Sequence, residues 1–274
     1  MAKEWTGERL ETNIWGETTA EHLHRYAMAL ELAKNKTILD LACGEGYGAH
    51  LLSKTAASVT GIDIDINTID RAAKKYTASN LKFLTAPATA IPLQENSIDV
   101  VISFETIEHL SDHDAMIKEC KRVLKPGGLL IISTPNKDKY SGKPGQQNPF
   151  HLKELSGDEF RTLLRKYFTQ VQLLNQYALY SSLITDENLI EHSGDFNELN
   201  TDTNSPPLYF IALASDEKLP DVKQSIFNAA SIANKALEEK EKAIKSSAGY
   251  KTGHFILSPF KFIKNLFAGK KKKA

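Results

Sequence analysis

The chain has 274 residues, of which 41% are hydrophobic, and this is enough to bury one full α/β core. Its 34 basic and 34 acidic side chains balance, so no global charge favours nucleic acid as a partner. We find no run of eighteen apolar residues, no apolar signal stretch at residues 1–5, and no metal or disulfide spacing for Cys43 and Cys120. We therefore expect a chain without a membrane span, in a reducing cytoplasm.

Hydrophobic periodicity predicts strands that alternate with helices along most of the chain. The expected helices cover about residues 20–34, 47–54, 67–76, 112–123 and 156–167, and the expected strands cover 37–42, 58–62, 81–84, 98–104 and 129–135. Two more expected strands, 171–176 and 208–215, have no helix between them, so the last should return antiparallel. The pattern predicts an α/β fold with a seven-stranded, mainly parallel, doubly wound sheet. We expect a cap helix region over residues 1–35, the sheet domain over 36–215, and a helical tail over 216–274.

The most informative stretch is residues 38–48, where an apolar strand ends in Asp40 and a loop with alternating glycines follows. A second short strand ends at Asp63. Such a unit binds the adenosine part of a cofactor, because the glycines let the backbone approach the ligand and the carboxylate accepts hydrogen bonds from ribose hydroxyls. A dinucleotide loop would read G-x-G-x-x-G. Here Asp40 stands where it would repel a pyrophosphate and stabilise an ammonium or sulfonium group.

The spacing Asp-x-Ala-x-Gly-x-Gly-x-Gly resembles motif I of the class I S-adenosylmethionine-dependent methyltransferases, with Ala42 in place of the usual first glycine. Three later segments resemble that family in the same order: residues 92–103 before and within the fourth strand, the Glu-x-x-Glu-His segment at 104–110, and the Leu-Lys-Pro-Gly-Gly turn at 124–128. The resemblance implies the Rossmann-like methyltransferase fold of the type 11 group. Residues 21–26 and 148–155 are further similar to a bacterial subgroup associated with surface-glycan biosynthesis.

The resemblance also implies S-adenosyl-L-methionine as the cofactor and assigns its contacts. Asp40 and the loop backbone are expected at the methionyl part, Asp63 at the ribose, and the remaining contacts at Ala42, Gly44, Gly46, Ile64 beside adenine, the Ala88 backbone N–H, and the Phe104 backbone. Arg25 or His22 is expected to reach the cofactor carboxylate, and a surface ion pair is the open alternative for Arg25. Pro87 replaces the family's adenine-binding Asp, which removes a hydrogen bond worth about 0.5–1.5 kcal/mol.

Catalysis of methyl transfer from a sulfonium requires positioning, exclusion of water and, for a hydroxyl acceptor, a base. His109, just after the fourth strand, and His151, in the loop after the fifth, are the candidate bases because imidazole titrates near neutral pH. Glu105 is the third candidate catalytic residue. Together with Glu108, it is expected to orient His109 or to bind a cation, and no resident metal is predicted.

The tail differs in composition from the sheet domain. From residue 216 onward there are thirteen lysines against six acidic residues. Residues 229–247 predict a helix with a thin apolar stripe of Ile226, Ala230, Ala233, Leu237 and Ile244, which favours self-association into a homo-oligomer. Residues 254–274 combine aromatic residues at helical spacing with four terminal lysines, which favours contact with an anionic membrane surface. A helix packed on the domain is the open alternative there.

Residues 185–202 carry six acidic residues and no Lys or Arg, and predict a loop. Solvated surface is one interpretation of this loop, and the family resemblance implies a substrate-covering element as the other. The leading hypothesis is a methyltransferase at the cytoplasmic face of the inner membrane, whose acceptor is a hydroxyl on a lipid-linked glycan or its precursor. The alternatives are O- or C-methylation of a quinone or other small acceptor, and a non-catalytic scaffold tethered to the membrane, which Pro87 favours.

Overall fold

A computed structural model describes residues 9–140, 148–178, 193–194, 199–200 and 206–253. The chain divides into two compact units. The described residues of 1–12 and 21–226 form the larger unit, and those of 13–20 and 227–274 form the smaller one.

The larger unit is built on a seven-stranded sheet of order β3-β2-β1-β4-β5-β9-β6. Its strands are β1 (Thr37–Leu41), β2 (Ser58–Asp63), β3 (Leu81–Thr85), β4 (Ile98–Ser103), β5 (Leu124–Pro135), β6 (Gln170–Gln176) and β9 (Tyr209–Ser215). The first five strands pair in parallel, and β9 runs antiparallel between β5 and β6. The predicted fold class, including the antiparallel return of the last strand, is therefore confirmed.

Helices cover both faces of this sheet. They are α1 (Glu17–Ala33), α2 (Tyr47–Ser53), α3 (Ile66–Lys75), α4 (His113–Val123), α5 (Lys137–Tyr140) and α6 (Gly157–Arg165), with a 3-10 turn at Ile107–His109. One buried apolar cluster joins α4 and α6 to the sheet, and a second joins α1 and α2 to it. Successive residues of β1, Ile38 and Leu39, enter different clusters, because side chains alternate between the faces of a strand.

Strand β5 begins earlier than predicted, at Leu124 instead of Leu129. The pairing register of β4 and β5 shifts between Ile98, which faces Leu124, and Val100, which faces Leu129. The predicted turn is thus an irregularity inside one strand, where Gly127 takes a left-handed φ of 72°.

In the loop after β1, glycine is required at one position by the backbone conformation and at another by packing. Gly46 caps α2 with a left-handed φ of 81°. Gly48 lies beneath Tyr26 of α1, and a Cβ atom at Gly48 would stand 2.0 Å from the Tyr26 Cζ atom. The last glycine of the motif is therefore required by the packing of α1.

The smaller unit contains α7 (Ala230–Ser246), which confirms the predicted tail helix. Leu237 and Ile244 of the predicted stripe are exposed, whereas Ile232, which was not in the stripe, is the buried residue of this helix. Lys235 lies 3.9 Å from the centre of the Trp15 ring. Self-association through this helix stays a prediction.

Two predicted segments fall largely outside the described residues. Residues 254–274 do so entirely, and within 185–202 the structure describes the short strands β7 (Ser193–Gly194) and β8 (Leu199–Asn200), which pair antiparallel. Among the helices of the described ranges, none combines the length and the apolar character needed to cross a bilayer.

Replacing Ala42 with glycine should stabilise the protein. Ala42 has a φ of 61°, a left-handed conformation that costs an L-residue about 1–2 kcal/mol and costs glycine little. Part of that gain is offset by the greater freedom of glycine in the unfolded chain, so we expect a net gain of about 0.5–1 kcal/mol in the free energy of unfolding. Urea denaturation measures it.

The matched control is Ala49→Gly in the buried part of α2, which should destabilise the chain by about 1 kcal/mol or more. Equal losses in both variants would contradict the strain at Ala42.

Candidate cofactor and acceptor site

The carboxyl ends of β2, β1 and β4 lie side by side at one edge of the sheet, since β1 pairs in parallel with both neighbours. The strand order reverses between β1 and β4, which is the position where open α/β sheets bind ligands. Asp63 ends β2 and Glu105 follows β4, and two strand spacings separate these strands by about 10 Å. Asp63 and Glu105, two of the predicted site residues, therefore lie at the same edge of the sheet, as expected.

Asp63 is buried and organises the β2 side of the edge. Its Oδ2 atom accepts a hydrogen bond from the Gly44 backbone N–H at 3.0 Å, and its Oδ1 atom accepts one from the Asp65 N–H at 3.0 Å. The Arg9 guanidinium donates to Asp63 at 2.8 Å and also to Asp65 at 2.8 Å. Sequence reasoning missed Arg9, because 54 residues separate it from Asp63.

An exposed apolar surface adjoins Asp63. Ile64 is 69% exposed although it directly follows a buried strand. Ala88 is partly buried after β3, and the neighbouring Pro87 is exposed. Around Gly44, nothing lies within 4 Å of the place that a Cβ atom would take. This part of the edge can receive a flat apolar ring beside a hydrogen-bonding carboxylate.

Asp40 lies deeper than Asp63 and is almost fully buried. The Tyr26 hydroxyl donates to its Oδ1 atom at 3.1 Å, and the Ala49 backbone also hydrogen-bonds to it. Burial raises the pKa of Asp40 to about 7, against the lowering effect of these hydrogen bonds. Asp40 therefore joins the end of β1 to α1 and to the start of α2.

Arg25 of α1 is 1% exposed and lies at the β4 side of the edge. Its Nη1 atom donates to Gln176 at 3.0 Å and to Glu105 at 3.3 Å, and its guanidinium centre is 4.6 Å from the Tyr209 ring centre and 5.9 Å from that of Phe104. Its Nε and Nη2 atoms are buried without a hydrogen-bond partner among the described residues. A buried cation with unpaired donors is costly, so this group can bind an anionic ligand.

Arg25 does form an ion pair, with Glu105, but its side chain is fully buried, so the predicted surface location of that pair is wrong. His22, the other candidate for the same role, hydrogen-bonds to the Tyr47 hydroxyl at 2.9 Å. Gln176 and Tyr209, which sequence reasoning missed, are held by Glu21: the Gln176 amide donates to its backbone carbonyl and the Tyr209 hydroxyl to its side chain.

Glu105 has a left-handed φ of 51°, which is uncommon for a residue other than glycine. Its backbone N–H donates to the Ser133 Oγ atom at 3.1 Å, and the Ser133 hydroxyl donates to its carboxylate at 2.5 Å. This pair of bonds from β5 holds Glu105 in the strained conformation and directs its carboxylate toward Arg25.

His109 and His151 come together because the loop after β5 docks on the 3-10 turn. The backbone N–H groups of Leu152 and Lys153 donate to the Glu108 carbonyl at 2.8 and 3.1 Å. The His109 Nδ1–H donates to the Phe150 carbonyl at 3.0 Å. The two imidazole rings meet edge to face with centroids 5.0 Å apart.

His151 is also oriented by Glu154, whose carboxylate lies 2.6 Å from the His151 Nδ1 atom. The sequence analysis assigned Glu154 no role. A His-x-x-Glu spacing signals contact on a helix, and these residues are in a loop. Because a backbone carbonyl or a carboxylate accepts from each Nδ1–H, the neutral form of both imidazoles carries its lone pair on Nε2.

Glu108 completes this group and is 1% exposed. Burial raises its pKa well above the ordinary range, and the neighbouring Glu105 carboxylate raises it further. Its Oε2 atom has no hydrogen-bond partner in the part of the chain that the structure describes.

The contribution of Asp40 to stability should depend on pH. Its pKa is near 3.8 in the unfolded chain and about 7 in the folded one, so the folded state holds an extra proton between these values. The contribution of Asp40 to the free energy of unfolding is therefore full below pH ~4 and is lost as the pH rises through ~7. The loss is up to about 4 kcal/mol. Urea titrations at a series of pH values should show that the free energy of unfolding of Asp40→Asn increases relative to that of the original chain as the pH rises across this range. A pH-independent difference would contradict the raised pKa.

Residues 39–132 match the family described as "Methyltransferase domain". A probable S-adenosylmethionine-dependent methyltransferase of Mycolicibacterium smegmatis is 36% identical over 165 residues, which are 58% of this chain and 62% of that protein. A ubiquinone biosynthesis O-methyltransferase of Chelativorans is 30% identical over 123 residues, 44% of this chain and 49% of that protein. The chain thus spans between about half and three-fifths of these relatives.

Among solved structures, the fold is similar to that of a Haloferax volcanii protein described as a putative methyltransferase in complex with the Trm112 activator. The TM-score is 0.57 at 18% identity, over 74% of this chain and 90% of that one, which shows the fold alone. The family and the fold imply S-adenosylmethionine as the cofactor. Residues 39–132 thus carry a methyltransferase domain, and the chain is similar there to probable S-adenosylmethionine-dependent methyltransferases.

Proposed function

We propose that this chain transfers the methyl group of S-adenosylmethionine to a hydroxyl oxygen, and that its acceptor is a lipid-linked glycan or a saccharide precursor. The observation that carries O-methylation is the His151–Glu154 pair beside His109, next to the edge where the cofactor elements converge. A carboxylate that holds Nδ1–H orients the imidazole and stabilises its protonated form, as a general base requires.

The residues of the edge fit the cofactor from end to end. Asp63 would accept hydrogen bonds from the ribose, Ile64 would cover one face of the adenine, and the Ala88 N–H would reach the ring. The open space at Gly44 admits the ligand close to the backbone. The unpaired Nε and Nη2 atoms of Arg25 would bind the carboxylate of the methionine part.

The methionine part would lie over the loop of Ala42, Gly44 and Gly46, with the Phe104 backbone beside it. Asp40 stays beneath that loop, where its carboxylate favours a positive charge above it. When bound, S-adenosylmethionine supplies a methyl group on a sulfonium centre. The chain excludes water from this centre and aligns the acceptor oxygen with it.

The acceptor hydroxyl would give its proton to the His151 Nε2 atom as its oxygen forms the bond to the methyl carbon. The carbon–sulfur bond breaks and its electron pair stays on sulfur, so the products are the methyl ether, a neutral thioether and an imidazolium. Glu154 stabilises that imidazolium, and Glu105 positions Arg25.

Two observations support an acceptor with an apolar part. Phe150 and Leu152, on either side of His151, are 46% and 64% exposed. The basic, aromatic segment 254–274, outside the described residues, suits an anionic bilayer surface at the inner face of the membrane. A saccharide on a lipid carrier presents hydroxyls and an apolar anchor together.

A quinol is the second candidate acceptor, and one relative favours it, because the Chelativorans protein is named a ubiquinone biosynthesis O-methyltransferase. A phenolic hydroxyl is more acidic than a sugar hydroxyl and needs less help from a base. Methyl transfer from labelled cofactor to lipid-linked saccharides and to catechol quinols, compared in one assay, separates the two. Absence of cofactor binding at millimolar concentration would instead favour the non-catalytic scaffold.

Arg25→Gln should weaken S-adenosylmethionine binding by at least about tenfold, since a charged hydrogen bond to the carboxylate is lost. Binding of 5′-methylthioadenosine, which lacks that carboxylate, should change by less than about twofold. Calorimetric titration of both ligands into both proteins measures this difference, with the exposed Arg161→Gln as the matched control. An equal loss for the two ligands would mean that Arg25 acts on the fold.

Glu154→Gln should lower kcat by about 10–100-fold, and His151→Ala by about 100-fold or more, with the Kd for S-adenosylmethionine unchanged within about threefold. The methyl-transfer assay measures kcat, and calorimetric titration measures the Kd. His50→Gln is the matched control, because His50 stacks on Tyr76 away from this group, with ring centroids 4.7 Å apart. Full turnover in His151→Ala would remove His151 from the mechanism.

A further inference from the structure

We propose that Glu108, His109 and His151 form a binding site for one divalent transition-metal ion, for which zinc fits best. One potential ligand atom from each of the three residues lies within 4.8 Å of the others. With a metal bound, the His151 Nε2 atom would be a ligand in place of the general base proposed above, and this chemical consequence rests on the proposed methyl transfer.

The two imidazole rings are oriented as metal ligands are. A histidine that binds metal through Nε2 almost always donates its Nδ1–H to a carboxylate or a backbone carbonyl. His151 does the first, toward Glu154 at 2.6 Å, and His109 does the second, toward Phe150 at 3.0 Å. Both rings therefore have the outer hydrogen bonds typical of metal ligands, on two different acceptors.

The buried Glu108 side chain also favours a bound cation. The side chain is almost completely buried, yet the Oε2 atom lacks a hydrogen-bond partner within the described ranges of the chain. A buried carboxylate oxygen without a donor is costly, and a cation that binds it removes this cost.

Charged side chains surround Glu108. Glu105 and Glu154 also act electrostatically on Glu108, and Arg25 is the basic group that acts on it most strongly. That arginine already bonds to Glu105. The Glu105 and Glu154 carboxylates against one guanidinium leave a net negative charge beside Glu108, which favours a cation.

The donor set selects the metal. Two imidazole nitrogens and one carboxylate oxygen suit zinc or iron, whereas magnesium and calcium prefer oxygen alone. Two histidines and one glutamate are a known zinc ligand set that leaves a fourth position for water or substrate. Zinc ligands about 2.0–2.1 Å from the ion lie about 3.3 Å apart, so the three groups must approach one another by roughly 1.5 Å at most.

In the proposed reaction, an ion at this place would bind the acceptor oxygen at its open position. It would lower the pKa of the hydroxyl, whose proton leaves to water, and the oxygen would then attack the methyl carbon as described above. The two histidines would serve as ligands, and their loss would abolish turnover as the loss of a base would. Activity alone thus cannot separate the two roles, and metal binding must be measured directly.

The test uses the full chain without an affinity tag, stripped with chelator and titrated with zinc ion by calorimetry, with zinc content measured by mass spectrometry. We expect about one zinc per chain. Glu108→Gln keeps the shape of the buried side chain and His151→Ala removes a ring, and each should weaken zinc binding by at least about 100-fold. Glu154→Gln should weaken it by about 10–100-fold, as second-layer changes do. His50→Gln should leave it unchanged.

Cobalt(II) gives a second readout, since the visible bands of a tetrahedral cobalt site should appear in the original chain and be absent in Glu108→Gln. Circular dichroism and S-adenosylmethionine binding show that each variant is folded. Zinc bound equally well by Glu108→Gln and His151→Ala, or no zinc bound at all, would overturn the proposal while leaving the general base in place. Zinc binding without any methyl transfer would retain the metal site and refute the proposed function.

Discussion

The hydrogen bond between the Tyr26 hydroxyl and the buried Asp40 carboxylate is the interaction on which the site depends. It joins α1 to the end of β1 where the glycine loop begins, and a hydrogen bond to a charged group contributes about 1.5–3 kcal/mol. The Tyr26 ring fills the space left by the missing side chain of Gly48 and meets Phe104 edge to face at 5.1 Å. One side chain thus fixes α1, the loop and the end of β4 relative to one another.

Arg25 is placed by the same contact, because it is the neighbour of Tyr26 on α1. The helix that seats a phenol on Asp40 also carries a guanidinium to Glu105 and Gln176. Burying this cation is tolerable only with such partners, and two of its nitrogen atoms still lack one among the described residues. The edge therefore combines the buried Asp40 carboxyl group beneath the loop with the buried Arg25 guanidinium beside β4. A zwitterionic ligand with a neighbouring sulfonium complements both charges.

The part of the site nearest the glycine loop could be predicted from sequence because consecutive residues build it. Asp63 and Ile64 stand at a strand end that hydrophobic periodicity locates, and Gly44 bonds directly to Asp63. Arg9, Gln176 and Glu154 could not be assigned in this way. Gln176 lies 151 residues from Arg25, and a contact over such a distance depends on strand order, which single-sequence patterns do not specify. The early start of β5 was missed for a local reason, since Gly127 and Gly128 indicate a turn although the chain continues as a strand past the irregularity.

The acceptor side of the site is held mainly by backbone hydrogen bonds, unlike the cofactor side. The loop carrying His151 is held by backbone groups, through the Glu108 carbonyl that receives the N–H groups of Leu152 and Lys153. Backbone pairing of this kind fixes the loop whatever side chains it carries, so Phe150 and Leu152 are free to change without loss of the His109–His151 contact. The cofactor side, by contrast, is tied to its residue types by Gly48 beneath Tyr26 and by Asp40. A scaffold that constrains one half by packing and the other by main-chain bonds can keep one cofactor while the residues that contact the acceptor change.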